Sequence, residues 1–186
     1  MSTLRVTGGK YKGRHIEVPR GEFEIRPAMD RMRESFFSIL GDISGCSFLD
    51  LFSGSGIIGI EAASRGAFPV LCVERDRAKL SLLIQNVSIA EPRIECKAVP
   101  VERYILRCEQ KWSLIFCDPP FPYAFKQALL ESIVDSDILE PHGKILIHYP
   151  KSDILPDSYK TLRCTDEREY GRSHIRFYSI TEQDKE

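Results

Sequence analysis

The residues Asp118-Pro119-Pro120-Phe121 follow directly on an apolar run, Trp112 to Cys117. This sets a carboxylate, a rigid turn and an aromatic ring at the end of a buried strand. Open α/β sheets bind ligands at the C-terminal edge of their strands. Proline fixes φ and has no N–H, so the carbonyls of such a turn remain available as acceptors. An aromatic face beside a cluster of acceptors suits a planar base that carries an exocyclic amine. Taken alone, the tetrapeptide reads equally well as a strand end with a proline-rich turn.

A second motif lies upstream. The apolar stretch Ser47-Phe48-Leu49-Asp50-Leu51-Phe52 runs into Gly54-Ser55-Gly56-Ile57-Ile58-Gly59, a match to G-x-G-x-x-G that opens a helical segment. Glycines there allow a tight turn and close approach of the backbone to a ligand at a helix N-terminus. The same pattern occurs in NAD-dependent dehydrogenases. Asp50 argues against a dinucleotide, because a carboxylate before the loop repels a pyrophosphate. It attracts a cation such as the methionine amine and sulfonium of S-adenosylmethionine. Pro69 to Glu74 then reads as a strand ending in an acid about 20 residues after the loop, where such folds bond ribose hydroxyls. These three features, in this order, point to a methyltransferase.

The elements that must position these groups follow from periodicity. Residues 4–19 alternate and carry turn glycines at 8, 9 and 13, which predicts short strands or a hairpin. A connector punctuated by Gly and Pro spans 20–28. From Asp30 to Leu40 the residues Met32, Phe36, Phe37 and Leu40 share one helical face. Beyond Cys46, strands are expected near 46–52, 69–74, 93–99, 112–117 and 143–149. Helices are expected near 57–65, 76–90, 101–108 and 123–135. Two more strands, around 160–164 and 174–180, suit an antiparallel edge. The fold class is therefore α/β: a Rossmann-like, mostly parallel sheet with helices on both faces and a small N-terminal β-hairpin. We divide the chain into a basic extension, 1–28, and a main domain, 29–186.

Composition excludes several classes. With 42% apolar and 28% charged residues in 186, the chain suits a globular protein of one domain with an appendage. No apolar run is long enough to span a bilayer and no signal-peptide segment opens the sequence, so a cytoplasmic location is expected. The six cysteines form no C-x-x-C pair, and the four histidines show no ligand spacing, so no metal site is expected. Net charge is −1, yet the first 20 residues hold Arg5, Lys10, Lys12, Arg14 and Arg20 against Glu17 alone. This local excess is either a phosphate-binding patch or a solvated, charged strand pair. His148 and Trp112 read as packing residues in strands.

The glycine loop, the acidic strand end and Asp-Pro-Pro-Phe together resemble class I S-adenosylmethionine-dependent methyltransferases that modify exocyclic amines. The N-terminus narrows the resemblance. Gly8-Gly9-Lys10-Tyr11-Lys12-Gly13-Arg14, then Arg26-Pro27, then Asp30 to Phe37, and near the end Tyr170-Gly171, are similar to the bacterial 16S rRNA guanine-N2 methyltransferases called RsmD. The likeness spans nearly the whole chain. It implies S-adenosylmethionine as cofactor and a guanine N2 of 16S rRNA, within the small ribosomal subunit, as acceptor. It further implies that Asp50, Phe52, Ser53, Gly54, Gly56 and Gly59 shape the methionine end of the cofactor site and that Glu74 holds the ribose. Asp118, Pro119, Pro120 and Phe121 would hold the base. Lys10, Lys12, Arg14, Arg26 and Arg33 are the candidate RNA contacts, and neither DNA, a membrane nor a second subunit is expected. Two positions depart from the family: Ala28 where a threonine is usual, and Pro100 where an Asp or Asn bonds the adenine amine. The rival readings are a methyltransferase acting on DNA adenine N6 or protein glutamine, and a non-catalytic RNA-binding module.

Overall fold

The computed structural model describes residues 2–18 and 26–181. Strands β1 (Ser2–Arg5) and β2 (His15–Val18) pair antiparallel as the expected hairpin, with Leu4 opposite Ile16. After α1 (Arg26–Leu40), the chain alternates β3 (Phe48–Leu51), α2 (Ile57–Ser64), β4 (Val70–Val73), α3 (Arg77–Val87), β5 (Glu95–Lys97), α4 (Val101–Ile105), β6 (Trp112–Cys117), α5 (Lys126–Asp135) and β7 (Leu139–Pro150). It ends with β8 (Ser158–Tyr159), β9 (Leu162–Tyr170) and β10 (Ser173–Ile180). Strands β3 to β10 form one sheet in the order β5-β4-β3-β6-β7-β10-β9-β8. The pairs among β3 to β7 are parallel, and those from β7 through β10 and β9 to β8 are antiparallel.

Side chains of a strand point alternately to opposite faces, and this alternation builds two cores. Phe48, Val70, Cys72, Leu114 and Phe116 face one side, where Phe36 and Phe37 of α1, Ile57 and Ile60 of α2 and Leu83 of α3 cover them. Leu49, Leu51, Leu71, Val73, Ile115 and Cys117 face the other, under Val101 and Ile105 of α4 and Leu129, Leu130 and Ile133 of α5. Both faces are apolar, which is why these strands read as nearly continuous hydrophobic runs. The chain builds outward from β3 to β4 and β5, then crosses to β6 on the other side of β3. That reversal opens a crevice at the C-terminal ends of β3 and β6, the place where such sheets take ligands.

The hairpin is docked onto α2 and α3. Its Leu4, Val6, Tyr11 and Ile16 join the first core. Its backbone bonds to side chains of the main body: Thr7 N–H to Glu61 Oε1 at 2.7 Å, Tyr11 N–H to Ser64 Oγ at 2.8 Å, and Glu17 N–H to Asn86 Oδ1 at 3.1 Å.

Several boundaries differ from expectation. Helix α1 begins at Arg26 rather than Asp30 and takes in Pro27, which is tolerated in a first turn because the missing N–H has no partner there. Helix α3 stops at Val87, short of 90. Strand β9 runs on to Tyr170 and β7 starts back at Leu139, both well beyond the expected ranges. Among the described residues no helix is long and apolar enough to cross a membrane.

Candidate active site

The loop after β3 is shaped by its own backbone. Phe52 has φ 64°, and Gly54 and Gly56 follow at 51° and 81°. Gly56 precedes α2 and has no room for a side chain: a Cβ there would lie 2.6 Å from Leu83 Cδ1. Gly59, one turn into the helix, lets α2 lie against the sheet, since its Cβ would meet Cys72 Sγ at 2.6 Å. That close approach brings the Gly59 N–H within 3.1 Å of Asp50 Oδ2.

Asp50 is 1% exposed, and its second oxygen, Oδ1, is buried without a hydrogen-bond partner. Burial, aided by the nearby Asp118 charge, pushes its pKa up to about 8 despite the Gly59 N–H. An orphaned buried carboxylate oxygen is costly unless something binds it. It fits a cationic amine entering from the crevice. Glu74, at the end of β4, accepts from the N–H groups of Gly54 at 2.9 Å and Asp76 at 2.8 Å. It fixes the loop and, each carboxylate oxygen having two lone pairs, still has acceptor capacity for ribose hydroxyls. These groups fit S-adenosylmethionine: Asp50 at its amine, the glycine turn along its backbone edge and Glu74 at its ribose.

Ser53 shapes this loop through its own hydrogen bonds. Its hydroxyl bonds the carbonyl of Asp50 at 2.7 Å, and its N–H bonds that of Val73 at 3.0 Å. Both donors are spent tying β3 to β4, so it shapes the loop without offering a donor to the cofactor. Pro100 sits immediately before α4 and gives it no side-chain cap, so the side chain that the resemblance places there is missing.

Asp118 lies across the crevice. Its N–H donates to the Leu51 carbonyl at 3.2 Å, which pins the tetrapeptide to the strand that carries Asp50. Its side chain is 32% exposed and one oxygen, Oδ1, meets His148 Nδ1 at 2.8 Å. Phe121 is 46% exposed and stands edge-on to the His148 ring at 5.5 Å. The turn continues through a bond from Tyr123 N–H to the Pro120 carbonyl, 2.8 Å, and the Tyr123 ring lies 5.3 Å from that of Phe52. The candidate base-holding and cofactor-holding residues thus meet at one edge of the sheet.

Three participants were not foreseen. His148 is indeed a buried strand residue, yet one of its partners is Asp118. Tyr123 joins the two loops. Lys126, only 3% exposed, donates to the carbonyls of Phe121 at 2.9 Å and Tyr123 at 2.6 Å and pairs with Asp153 at 2.7 Å. Nothing in the sequence marks that lysine as buried. Replacing Lys126 by Met keeps the aliphatic length and strands two carbonyls and a carboxylate. Hydrogen bonds to a charged group contribute about 1.5–3 kcal/mol each, and less here because Asp153 is 32% exposed. We expect a fall in thermal midpoint of several degrees together with slower methyl transfer, checked by calorimetry and by initial rates. Unchanged values in both would remove Lys126 from the account.

The candidate RNA contacts divide. Lys10, Lys12 and Arg14 are exposed on the hairpin turn. The Lys10 N–H bonds the carbonyl of Ser64, the last residue of α2, so the turn lies at the far end of that helix from the glycine loop. Arg26 opens α1, and its side chain falls outside the described residues. Arg33 is a correction. It is 1% exposed, with Nε 3.4 Å from Glu61 Oε1 and Nη2 bonded to Asp30 and to the Arg5 carbonyl. Glu61, fully buried, also takes Arg65. A buried glutamate needs cations around it, and Arg33 is held there as part of the joint between hairpin, α1 and α2.

Comparison with known proteins places this architecture. The family described as conserved hypothetical protein 95 matches residues 4–179. The Escherichia coli K12 protein named ribosomal RNA small subunit methyltransferase D is 32% identical over 180 residues, covering 94% of this chain and 89% of that protein. Bacillus subtilis YlbH is 32% identical over 181 residues, covering 94% and 98%. The solved structure of Escherichia coli yhhF superposes with a TM-score of 0.86 at 26% identity, covering 98% of this chain and all of that one. The fold is the class I S-adenosylmethionine-dependent methyltransferase fold, and the chain belongs to the conserved hypothetical protein 95 family, the RsmD methyltransferases.

Proposed function

We infer that the protein transfers a methyl group from S-adenosylmethionine to the exocyclic N2 of a guanine in 16S rRNA, in the cytoplasm and on the small ribosomal subunit. The observation that carries this reading is the pairing of two acids across one crevice. Asp50 presents a buried oxygen with no partner, and Asp118 presents a half-buried carboxylate beside an exposed aromatic ring. Family membership supports the rRNA acceptor.

S-adenosylmethionine supplies an electrophilic methyl group, and the protein must present a lone pair to it. Guanine N2 is a poor nucleophile because its lone pair is delocalised into the ring. Asp118 Oδ2 and the Pro119 carbonyl accept the two N2 hydrogens, and Phe121 stacks on the purine. Acceptors placed this way turn the nitrogen towards tetrahedral geometry and stabilise the positive charge that develops on it. The carboxylate then takes the proton that the methylated amine sheds. The base must leave its surroundings to reach the loop, so it is flipped out or drawn from an exposed strand.

The test is incubation with methyl-labelled S-adenosylmethionine and small subunits from cells lacking the gene. Labelled N2-methylguanosine in 16S rRNA is the expected product. Label in another nucleoside, in DNA or in protein would replace the reading, and label nowhere despite cofactor binding would refute it.

The basic hairpin turn, set apart from the crevice, holds rRNA phosphates beyond the target nucleotide in this reading, which its exposed Lys10, Lys12 and Arg14 support. Reversing Lys10 and Lys12 to Glu is expected to weaken subunit binding and lower the salt dependence by about 0.7–0.9 in logarithmic slope per lost phosphate contact. Binding assays at several salt concentrations read this directly; a slope equal to the parent's would move the RNA contact elsewhere.

A further inference from the structure

His148 is more than a packed strand residue, because it touches both ends of the base-holding tetrapeptide. Its Nδ1 lies 2.8 Å from Asp118 Oδ1, and its ring stands 5.5 Å from that of Phe121 at an interplanar angle of 63°. It is 7% exposed on β7, one position beyond Ile147, which pairs with Cys117 at the end of β6. On its other side, Nε2 lies 2.8 Å from Ser173 Oγ, which reaches the Tyr170 carbonyl at 3.1 Å. The Tyr170 hydroxyl in turn donates to Ser35 Oγ of α1 at 2.6 Å. The imidazole is therefore held from the antiparallel edge of the sheet and points towards the crevice.

We propose that His148 is a positioning residue for the methyl-transfer step, fixing the Asp118 carboxylate and the Phe121 ring at the separation needed to grip the target base. This rests on the function inferred above. An ionised carboxylate only accepts hydrogen bonds, so Nδ1 carries the hydrogen that meets Oδ1. With Oδ1 engaged, Asp118 can orient only Oδ2 to the amine. Without the imidazole, rotation about the Asp118 side chain would present either oxygen, or neither, to the base. A charge-assisted bond of this kind selects one rotamer. The ring edge against Phe121 does the same for the stacking face. Ser173 Oγ at the second nitrogen fixes the imidazole plane: its single hydrogen meets Nε2 when that nitrogen is bare, and the Tyr170 carbonyl when Nε2 carries its own hydrogen.

Two amide variants separate this role from simple packing. In His148→Asn the side-chain nitrogen falls near the place of Nδ1, keeping a donor for Asp118 and losing Ser173. In His148→Gln it falls near the place of Nε2, keeping Ser173 and losing Asp118. Both would be measured for kcat and KM on small subunits lacking the modification, for S-adenosylmethionine affinity and for thermal midpoint. A group that acts only on the orientation of Asp118 changes kcat and leaves binding alone, so we expect Gln to lose roughly tenfold or more in kcat and Asn to recover to within about threefold of the parent, with KM and cofactor affinity unchanged in both. Equal kcat in the two variants would overturn the proposal. So would a loss of cofactor binding and thermal midpoint in both, which would make the residue structural.

A second measurement does not depend on the acceptor. In the ¹⁵N-histidine-labelled full chain, Asp118→Ala is expected to shift the His148 Nδ1 resonance far more than that of Nε2. No shift would overturn the proposal. If instead the parent enzyme labels no guanosine, the rRNA reading fails, and the nitrogen resonances still decide whether His148 holds Asp118.

Discussion

Asp118→Ala is expected to lower methyl transfer by roughly a hundred- to a thousandfold, the range found when one preorganised polar group is removed from a developing charge. Cofactor affinity should stay within about twofold of the parent, because uniform binding and transition-state stabilisation are lost separately. The reason is geometric. The tetrapeptide is pinned to β3 by the Asp118 backbone N–H, and that bond to Leu51 survives the substitution. The groups that fit the cofactor stand on β3, β4 and the glycine loop. What disappears is one carboxylate aimed at the crevice and the partner of His148 Nδ1. Asp118→Asn keeps an acceptor without the charge and should fall between the two. Single-turnover transfer to small subunits and calorimetric titration of S-adenosylmethionine read the two quantities independently. Near-normal turnover in the alanine variant would sink the assignment of Asp118.

The second large effect concerns Asp50 and has a sign that pH reveals. Its carboxyl is pushed from the ordinary 3.8 up to about 8 by burial. Between those values the folded, ligand-free protein holds a proton that the unfolded chain has released. Stability due to this group is fully present below pH 4 and is lost progressively as pH rises through 8. A cation beside Asp50 favours the ionised form. Cofactor binding must therefore release a proton at pH 7, and affinity should rise from pH 6 to pH 8. In Asp50→Asn both dependences should flatten. The amide still accepts from Gly59 N–H but offers no charge, and a charged hydrogen bond contributes about 1.5–3 kcal/mol. We therefore expect affinity to fall by about ten- to a hundredfold, at about 1.4 kcal/mol per tenfold. Titrations in buffers of different ionisation enthalpy would count the proton. A parent affinity that declines from pH 6 to pH 8 would contradict this account.

How much of this was legible depended on whether the deciding partner was local. Strand β6 matched its expected limits, 112–117, because six residues of apolar run are bounded by Lys111 on one side and by an acid and prolines on the other. The glycine loop was legible for the same reason: tight turns and close helix packing demand glycine at fixed spacing. Strand β9 was half missed because residues 165–169 lie at the antiparallel edge and are mostly exposed, so burial wrote no hydrophobic pattern there. Arg33 was misplaced because an arginine on a helix suits RNA or an ion pair equally well. Glu61, 28 residues away, decides the matter. His148 and Lys126 show the same limit. Each has ordinary neighbours in the chain, and each finds its function in a loop that only the fold brings near.

The docking of the hairpin has a consequence for how such proteins diversify. Thr7, Tyr11 and Glu17 are attached through backbone N–H groups, and the Gly8 carbonyl takes the Ser64 hydroxyl at 2.6 Å. The side chains that receive them belong to Glu61, Ser64 and Asn86, and Asn86 also bonds the Ser55 carbonyl in the cofactor loop at 2.9 Å. Backbone bonds of this kind do not depend on the exposed side chains of the attached piece, while its buried Leu4, Val6, Tyr11 and Ile16 still pack into the core. The exposed positions 10, 12 and 14 can change, and with them the charge that the turn presents, without breaking these backbone bonds. A hairpin exchanged between relatives should seat where residues 61, 64 and 86 are kept and where the incoming piece keeps apolar side chains at 4, 6, 11 and 16 and glycine at 9.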